Sequence, residues 1–188
     1  RMVAATRQPL SRAENEAGES ILGNLIADAQ RAALVTDFAF MNPRGIRADL
    51  PAGSLTYRDL FSVHPFGNSL VEMRLTGQEI YDLLNQQWLE QPRPRMLNVS
   101  GLTYVGPLAP RAGTVVEVRK SGVPLDREAR YSVTVNEFLA AGGDNFPVLT
   151  HGQKIRGGPV DVDALIAYLQ SLPQPISLPA INRISLSR

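Results

Sequence analysis

Apolar residues recur at helical spacing from Glu19 to Val35. Ile21, Leu22, Leu25, Ile26, Ala29 and Ala33 form one stripe, with Asn24, Asp28 and Arg31 opposite. The next run, Phe38 to Met41, is short and wholly apolar, which predicts a buried strand. It ends in Asn42-Pro43-Arg44-Gly45-Ile46-Arg47, a loop by its Pro and Gly content. Thr56-Tyr57-Arg58-Asp59 predicts the cap of a short helix through Leu60 and Phe61, ended by Pro65. Ser69 to Leu75 alternates as a strand. Thr76 and Glu79 then form a capping box that opens a helix with Ile80, Leu83, Leu84 and Trp88 turned inward.

Gln91 to Arg95 carries two prolines and reads as a loop. Asn98 to Val105 and Thr114 to Val118 read as strands, and Ser121-Gly122 turns into Val123 to Leu125 as a hairpin. Tyr131 to Val135 alternates as a half-buried strand. Asp161 to Leu172 places Val162, Leu165, Ile166 and Leu169 on one helical face, and Pro173 and Pro175 stop it. Ile184 and Leu186 suggest a last strand. Residues 1–18 are polar and aperiodic, so they are expected to be an irregular arm. Helices intermixed with strands and hairpins predict an α+β fold, a mixed β-sheet with packed helices.

Composition narrows the function classes. The chain has 188 residues, 44% of them hydrophobic, which suits one globular domain. A net charge of +1 gives no reason to expect nucleic-acid binding, and no apolar run is long enough to insert into a membrane. The absence of cysteine excludes disulfides and thiolate chemistry, and two histidines far apart in sequence, His64 and His151, argue against a His-rich metal centre in this chain. No glycine pattern follows a strand and opens a helix in the manner of a dinucleotide or P-loop site. No nucleophile elbow is present. The chain reads as built to bind rather than to break bonds.

Three segments carry candidate binding chemistry. The first is Asn136-Glu137-Phe138-Leu139-Ala140-Ala141-Gly142-Gly143-Asp144, which brings an aromatic ring, a Gly-Gly turn and a carboxylate to one place. A ring that stacks and a carboxylate that accepts from hydroxyls suit a flat, hydroxylated ligand such as a nucleoside. Asp144 can equally satisfy turn amides. The second is Asn42 to Arg47, whose two arginines and loop amides suit an anion, although such arginines commonly face water. The third is Val63-His64-Pro65-Phe66-Gly67-Asn68. Here Phe66 reads either as a second stacking ring or as a core residue beside a turn, and His64 reads as structural. Trp88 reads as core, and Arg93 and Arg95 as solvated.

In order along the chain, Glu19 to Ala29, Asn42 to Arg47, Pro65-Phe66-Gly67-Asn68, Leu75-Thr76-Gly77 and Asn136 to Asp144 resemble the C-terminal domain of the 5'-nucleotidase family, which includes bacterial UDP-sugar hydrolases. The resemblance implies that residues 19–188 form that domain. Residues 1–18 would be the connection to an N-terminal metallophosphatase domain holding two divalent metal ions and the catalytic His-Asp dyad. No catalytic residue, metal or cofactor is then expected in this chain, which alone should be inactive. The implied activity is phosphomonoester hydrolysis of nucleotides, with UDP-sugars as further substrates, in the periplasm or outside the cell.

Carried over by position, Phe66 and Phe138 would sandwich a base, Asp144 beside Gly143 would hold ribose hydroxyls, Arg47 would contact phosphate and Asn42 would line the pocket. Some relatives have a phosphate-binding arginine where this chain has Ile21 or Asn24, which makes Asn24 a further candidate. Pro43, Arg44 and Asn145 stand where the family usually has glycine. Arg44 either adds an anion contact or narrows the pocket. The alternative is a non-catalytic binding or interaction module that reuses the fold.

Overall fold

The computed structural model describes residues 1–89, 91–109, 114–115 and 117–187. Its centre is a five-stranded mixed sheet with strand order β10-β4-β9-β2-β5. These strands are β2 (Phe38–Met41), β4 (Ser69–Thr76), β5 (Asn98–Ser100), β9 (Arg130–Asn136) and β10 (Gln153–Val160). β2 runs parallel to β9, with Phe38 opposite Val133, and the other neighbours are antiparallel. A second sheet joins β11 (Ile184–Leu186), β6 (Thr103–Gly106), β7 (Glu117–Lys120) and β8 (Val123–Pro124), with β11 parallel to β6. Among the described residues, the α-helices packed around these sheets are α1 (Ile21–Leu34), α2 (Tyr57–Val63), α3 (Gly77–Leu89), α4 (Glu137–Ala140) and α5 (Asp161–Ser171). This is the α+β arrangement expected from the sequence.

Strand alternation divides the core. Phe38, Phe40, Met73, Leu75, Val133 and Val135 join Ile80, Leu83 and Leu84 of α3 in one cluster. Met41 turns the other way, into a cluster with Leu22, Leu25 and Ile26 of α1 and Val162, Leu165 and Leu169 of α5. The central sheet is therefore covered on both faces, and its strand ends are left to carry loops.

Ser20, which was not expected as a cap, starts α1, its Oγ accepting from the Gly23 amide at 3.0 Å, and Val35 ends the helix in the left-handed region at φ 53°. The two predicted caps form. Thr56 with Asp59 and Thr76 with Glu79 both make reciprocal capping contacts. Ser121 (φ 49°) and Gly122 (φ 78°) form the hairpin turn between β7 and β8.

Several expectations need correction. Residues 1–18 are not an irregular arm throughout: Met2–Thr6 forms β1, antiparallel to β3 (Gly53–Thr56), and Leu10 is fully buried and bridges Leu50. β10 was not expected. The strand predicted over Thr114 to Val118 begins at Glu117, and residue 116 lies outside the described residues. The polar face of α1 is only partly open to water: Asn24 is buried, Asp28 half-buried and Arg31 exposed. Asp28 pairs with Arg183 at 2.8 Å because the C-terminal segment returns across that face, and Arg31 donates to Ser100 Oγ of β5 at 2.8 Å.

Candidate functional site

Asn136 ends β9 and caps α4, its Oδ1 accepting from the Leu139 amide at 2.8 Å. Its Nδ2 donates to Asn42 Oδ1 at 2.9 Å, at the end of the neighbouring β2. Asn42 Nδ2 in turn donates to Asp144 Oδ2 at 2.9 Å. Two buried asparagines thus tie the loop after β2 to the turn after α4, and each amide is oriented by the hydrogen bond before it. The parallel pairing of β2 with β9 makes this possible, since it brings the C-terminal ends of both strands to the same edge.

That edge opens into a cleft of about 350 Å³ lined by Asn42, Arg44, Gly45, Arg47, Phe66, Asn68, Phe138 and Asp144. Phe66 is 60% exposed and Phe138 44% exposed, large values for such side chains. Phe66 is carried by the segment between α2 and β4, Phe138 by α4. Both arginines are exposed, and neither guanidinium pairs with a carboxylate among the described residues. Arg47 Nη1 donates to the Arg44 carbonyl at 3.3 Å, which folds the two side chains' loop on itself. The cleft therefore combines two open aromatic faces, two unneutralised cations and one carboxylate. Two roomier cavities, lined in part by Ser11, Asp49 and Asn98 and by Thr6, Gln174 and Leu178, contain no aromatic ring.

The turn that carries Asp144 is strained. Asp144 (φ 57°) and Asn145 (φ 64°) are consecutive non-glycine residues in the left-handed region, after Gly142 at φ 87°. Asp and Asn tolerate that region better than other L-residues, but each still costs on the order of 1 kcal/mol. Gly143 is required for another reason. A Cβ there would meet both the ring and the carbonyl oxygen of Phe138 at 2.6 Å, so only glycine lets helix α4 and its ring lie against the turn. Arg95, expected to be solvated, instead donates from Nη1 to the Asp144 carbonyl at 3.0 Å and lies 3.7 Å from Oδ1. Gln91 Nε2 donates to the same carbonyl at 2.8 Å.

Of the candidate residues, Asn42, Arg44, Arg47, Phe66, Phe138 and Asp144 line one cleft, with Gly143 packed against Phe138. Asn24 does not join them. It is fully buried in α1, its amide donating to Glu19 Oε1 at 3.0 Å and to the Ala180 carbonyl at 3.1 Å. Sequence reasoning missed Asn68 as a lining residue, although it closes the Pro65-Phe66-Gly67-Asn68 run. It also missed Gln91 and Arg95, for which no local pattern exists.

His64 lies behind the cleft at the end of α2, 1% exposed, with Nδ1 3.9 Å from Asp161 Oδ2 and the Gly45 backbone as its other polar neighbour. Burial pushes its pKa down to about 4, so the ring is neutral near pH 7. Burial pushes Asp161 up to about 6. The Asp161 amide donates to the Asn68 carbonyl at 2.8 Å, which links this buried pair to the cleft wall.

A family model described as "5'-nucleotidase, C-terminal domain" matches residues 2–151. The chain belongs to that family. Endonuclease YhcR of Bacillus subtilis is 36% identical over 173 residues, which is 90% of this chain and 14% of that protein. The 5'-nucleotidase of Vibrio cholerae is 35% identical over 155 residues, 80% of this chain and 27% of that protein. The crystal structure of a 5'-nucleotidase precursor from Thermus thermophilus matches with a TM-score of 0.85 at 35% identity, over 99% of this chain and 39% of its own. The chain thus spans well under half the length of each of these relatives. The family match runs to residue 151, beyond Asp144, so the whole cleft lies inside the shared 5'-nucleotidase C-terminal domain.

Proposed function

We propose that this chain is the substrate-binding domain of a metal-dependent 5'-nucleotidase that hydrolyses nucleoside phosphates. The observation that carries the reading is the cleft: two exposed rings, a carboxylate held by an asparagine, and two unpaired arginines. A base stacks between Phe66 and Phe138, each stacking contact contributing about 1–3 kcal/mol. Ribose hydroxyls donate to Asp144. Arg47, and Arg44 beside it, meet phosphate, where a guanidinium offers paired donors. A second phosphate bearing a sugar, as in a UDP-sugar, would extend past the arginines.

The cleft lining has one carboxylate and no histidine, a donor set that does not fit a divalent cation. Among the described residues no group of three or more His, Cys, Asp or Glu fits one either. In this reading the two metal ions, and the water they activate, belong to an N-terminal metallophosphatase domain joined through residues 1–18, and this chain alone binds without catalysing. A periplasmic or extracellular location follows from the same reading. No helix among the described residues is long and apolar enough to cross a membrane.

A second reading has support in the Bacillus relative, whose name is that of an endonuclease and of which this chain covers 14%. In that reading the domain is a binding module serving a different activity. Calorimetry with AMP, adenosine and UDP-glucose separates the two. The nucleotidase reading expects AMP to bind more tightly than adenosine, and absence of binding by all three contradicts it.

A further inference from the structure

We propose that Gln91 and Arg95 are positioning residues: they hold the Asp144–Asn145 turn in its left-handed conformation and thereby set the affinity of the cleft for the hydroxyls of a ribose. The inference rests on the nucleoside reading of the cleft. Gln91 Nε2 donates to the carbonyls of both Asp144 (2.8 Å) and Asn145 (3.0 Å), and Arg95 Nη1 donates to the Asp144 carbonyl at 3.0 Å. Three hydrogen bonds from one loop therefore converge on two adjacent residues that both have positive φ.

The same guanidinium lies 3.7 Å from Asp144 Oδ1, while Asn42 holds Oδ2. The carboxylate is thus fixed from two sides, with lone pairs left for a ligand. The loop is itself anchored. The Arg95 amide donates to the Gln87 carbonyl at 2.9 Å, and the buried Gln87 side chain accepts from the Leu97 amide at 2.6 Å and donates to Tyr104 Oη at 3.0 Å. A rigid path runs from α3 through this proline-containing loop to the carboxylate.

The test uses the labelled 188-residue chain as wild type, Arg95→Ala, Gln91→Ala and Arg95→Lys, titrated with adenosine and with adenine. Both alanine variants should lose about tenfold in adenosine affinity, the loss of roughly one hydrogen bond's contribution, and keep their adenine affinity. Arg95→Lys should recover part of the loss, because an ammonium can still donate to the carbonyl. The backbone shifts of Asp144 and Asn145 should leave the left-handed range in the alanine variants without ligand. Equal losses for adenosine and adenine overturn the proposal, as do unchanged shifts in a chain that binds adenosine. A wild-type chain that binds neither ligand overturns the nucleoside reading and the affinity claim with it. Altered shifts in those same variants would still uphold the clamp on the turn.

Discussion

Asn42 and Asp144, 102 residues apart in the chain, share a hydrogen bond of 2.9 Å that joins the arginine loop to the Gly-Gly-Asp turn. Because Asn42 is oriented by Asn136, the position of the carboxylate depends on the parallel pairing of β2 and β9. Replacing Asn42 by alanine should weaken adenosine binding about tenfold and lower stability by roughly 1–3 kcal/mol, since the buried Asn136 amide loses its acceptor. Urea denaturation and calorimetry on one variant read both effects. Unchanged affinity would place Asp144 outside the ligand contacts.

Phe138 is half exposed on a four-residue helix, so its ring contributes little to the core. Phe138→Ala should cost about 1–3 kcal/mol in nucleoside affinity with a small change in melting temperature. A large drop in melting temperature at constant affinity would make Phe138 a packing residue. Gly143→Ala perturbs the same ring without removing it, because the added methyl clashes with both the ring and the carbonyl oxygen of Phe138 and so shifts ring and turn together. Its affinity loss should approach that of Phe138→Ala.

His64 and Asp161 should respond to pH in opposite senses. The folded-state pKa of His64 is about 4, below its ordinary 6.5, so its contribution to stability falls as pH drops from 6.5 to 4. Asp161 is raised from 3.8 to about 6, so its contribution falls as pH rises through that window. Each change is on the order of 3 kcal/mol, and in the wild type the two largely offset. His64→Leu should leave a protein that loses stability from pH 4 to 6, and Asp161→Asn one that gains it. Parallel pH profiles for the two variants would refute this pairing.

Much of this was legible in the sequence. The apolar stripes of α1, α3 and α5 announce themselves locally, as do the caps at Thr56 and Thr76 and the apolar run of β2. Six of the eight cleft-lining residues were legible through the resemblance and through residue chemistry; Gly45 and Asn68 were not singled out. What was not legible depends on distant contacts. β10 is a largely exposed edge strand with Gly157-Gly158-Pro159 and two register shifts, so it shows no alternation. Asn24 sits on the polar side of a helical wheel, yet the Ala180 carbonyl, 156 residues away, covers it. Arg95 looks solvated in a proline loop, and only the fold brings it across 49 residues to Asp144.

Arg47 should separate charge from stacking. Arg47→Ala should weaken AMP binding several-fold more than adenosine binding, since a charge-assisted contact is lost only with phosphate present. Equal losses for the two ligands would remove Arg47 from the phosphate site.

The central claim is that one cleft binds base, ribose and phosphate together. Its most direct test is an NMR titration of the chain with AMP, adenosine and UDP-glucose, following the amides of Arg47, Gly67 and Gly143. Joint, saturable shifts at all three positions, with Arg47 responding more to AMP than to adenosine, are the predicted result. Silence at all three with millimolar ligand, or shifts confined to one loop, would contradict it.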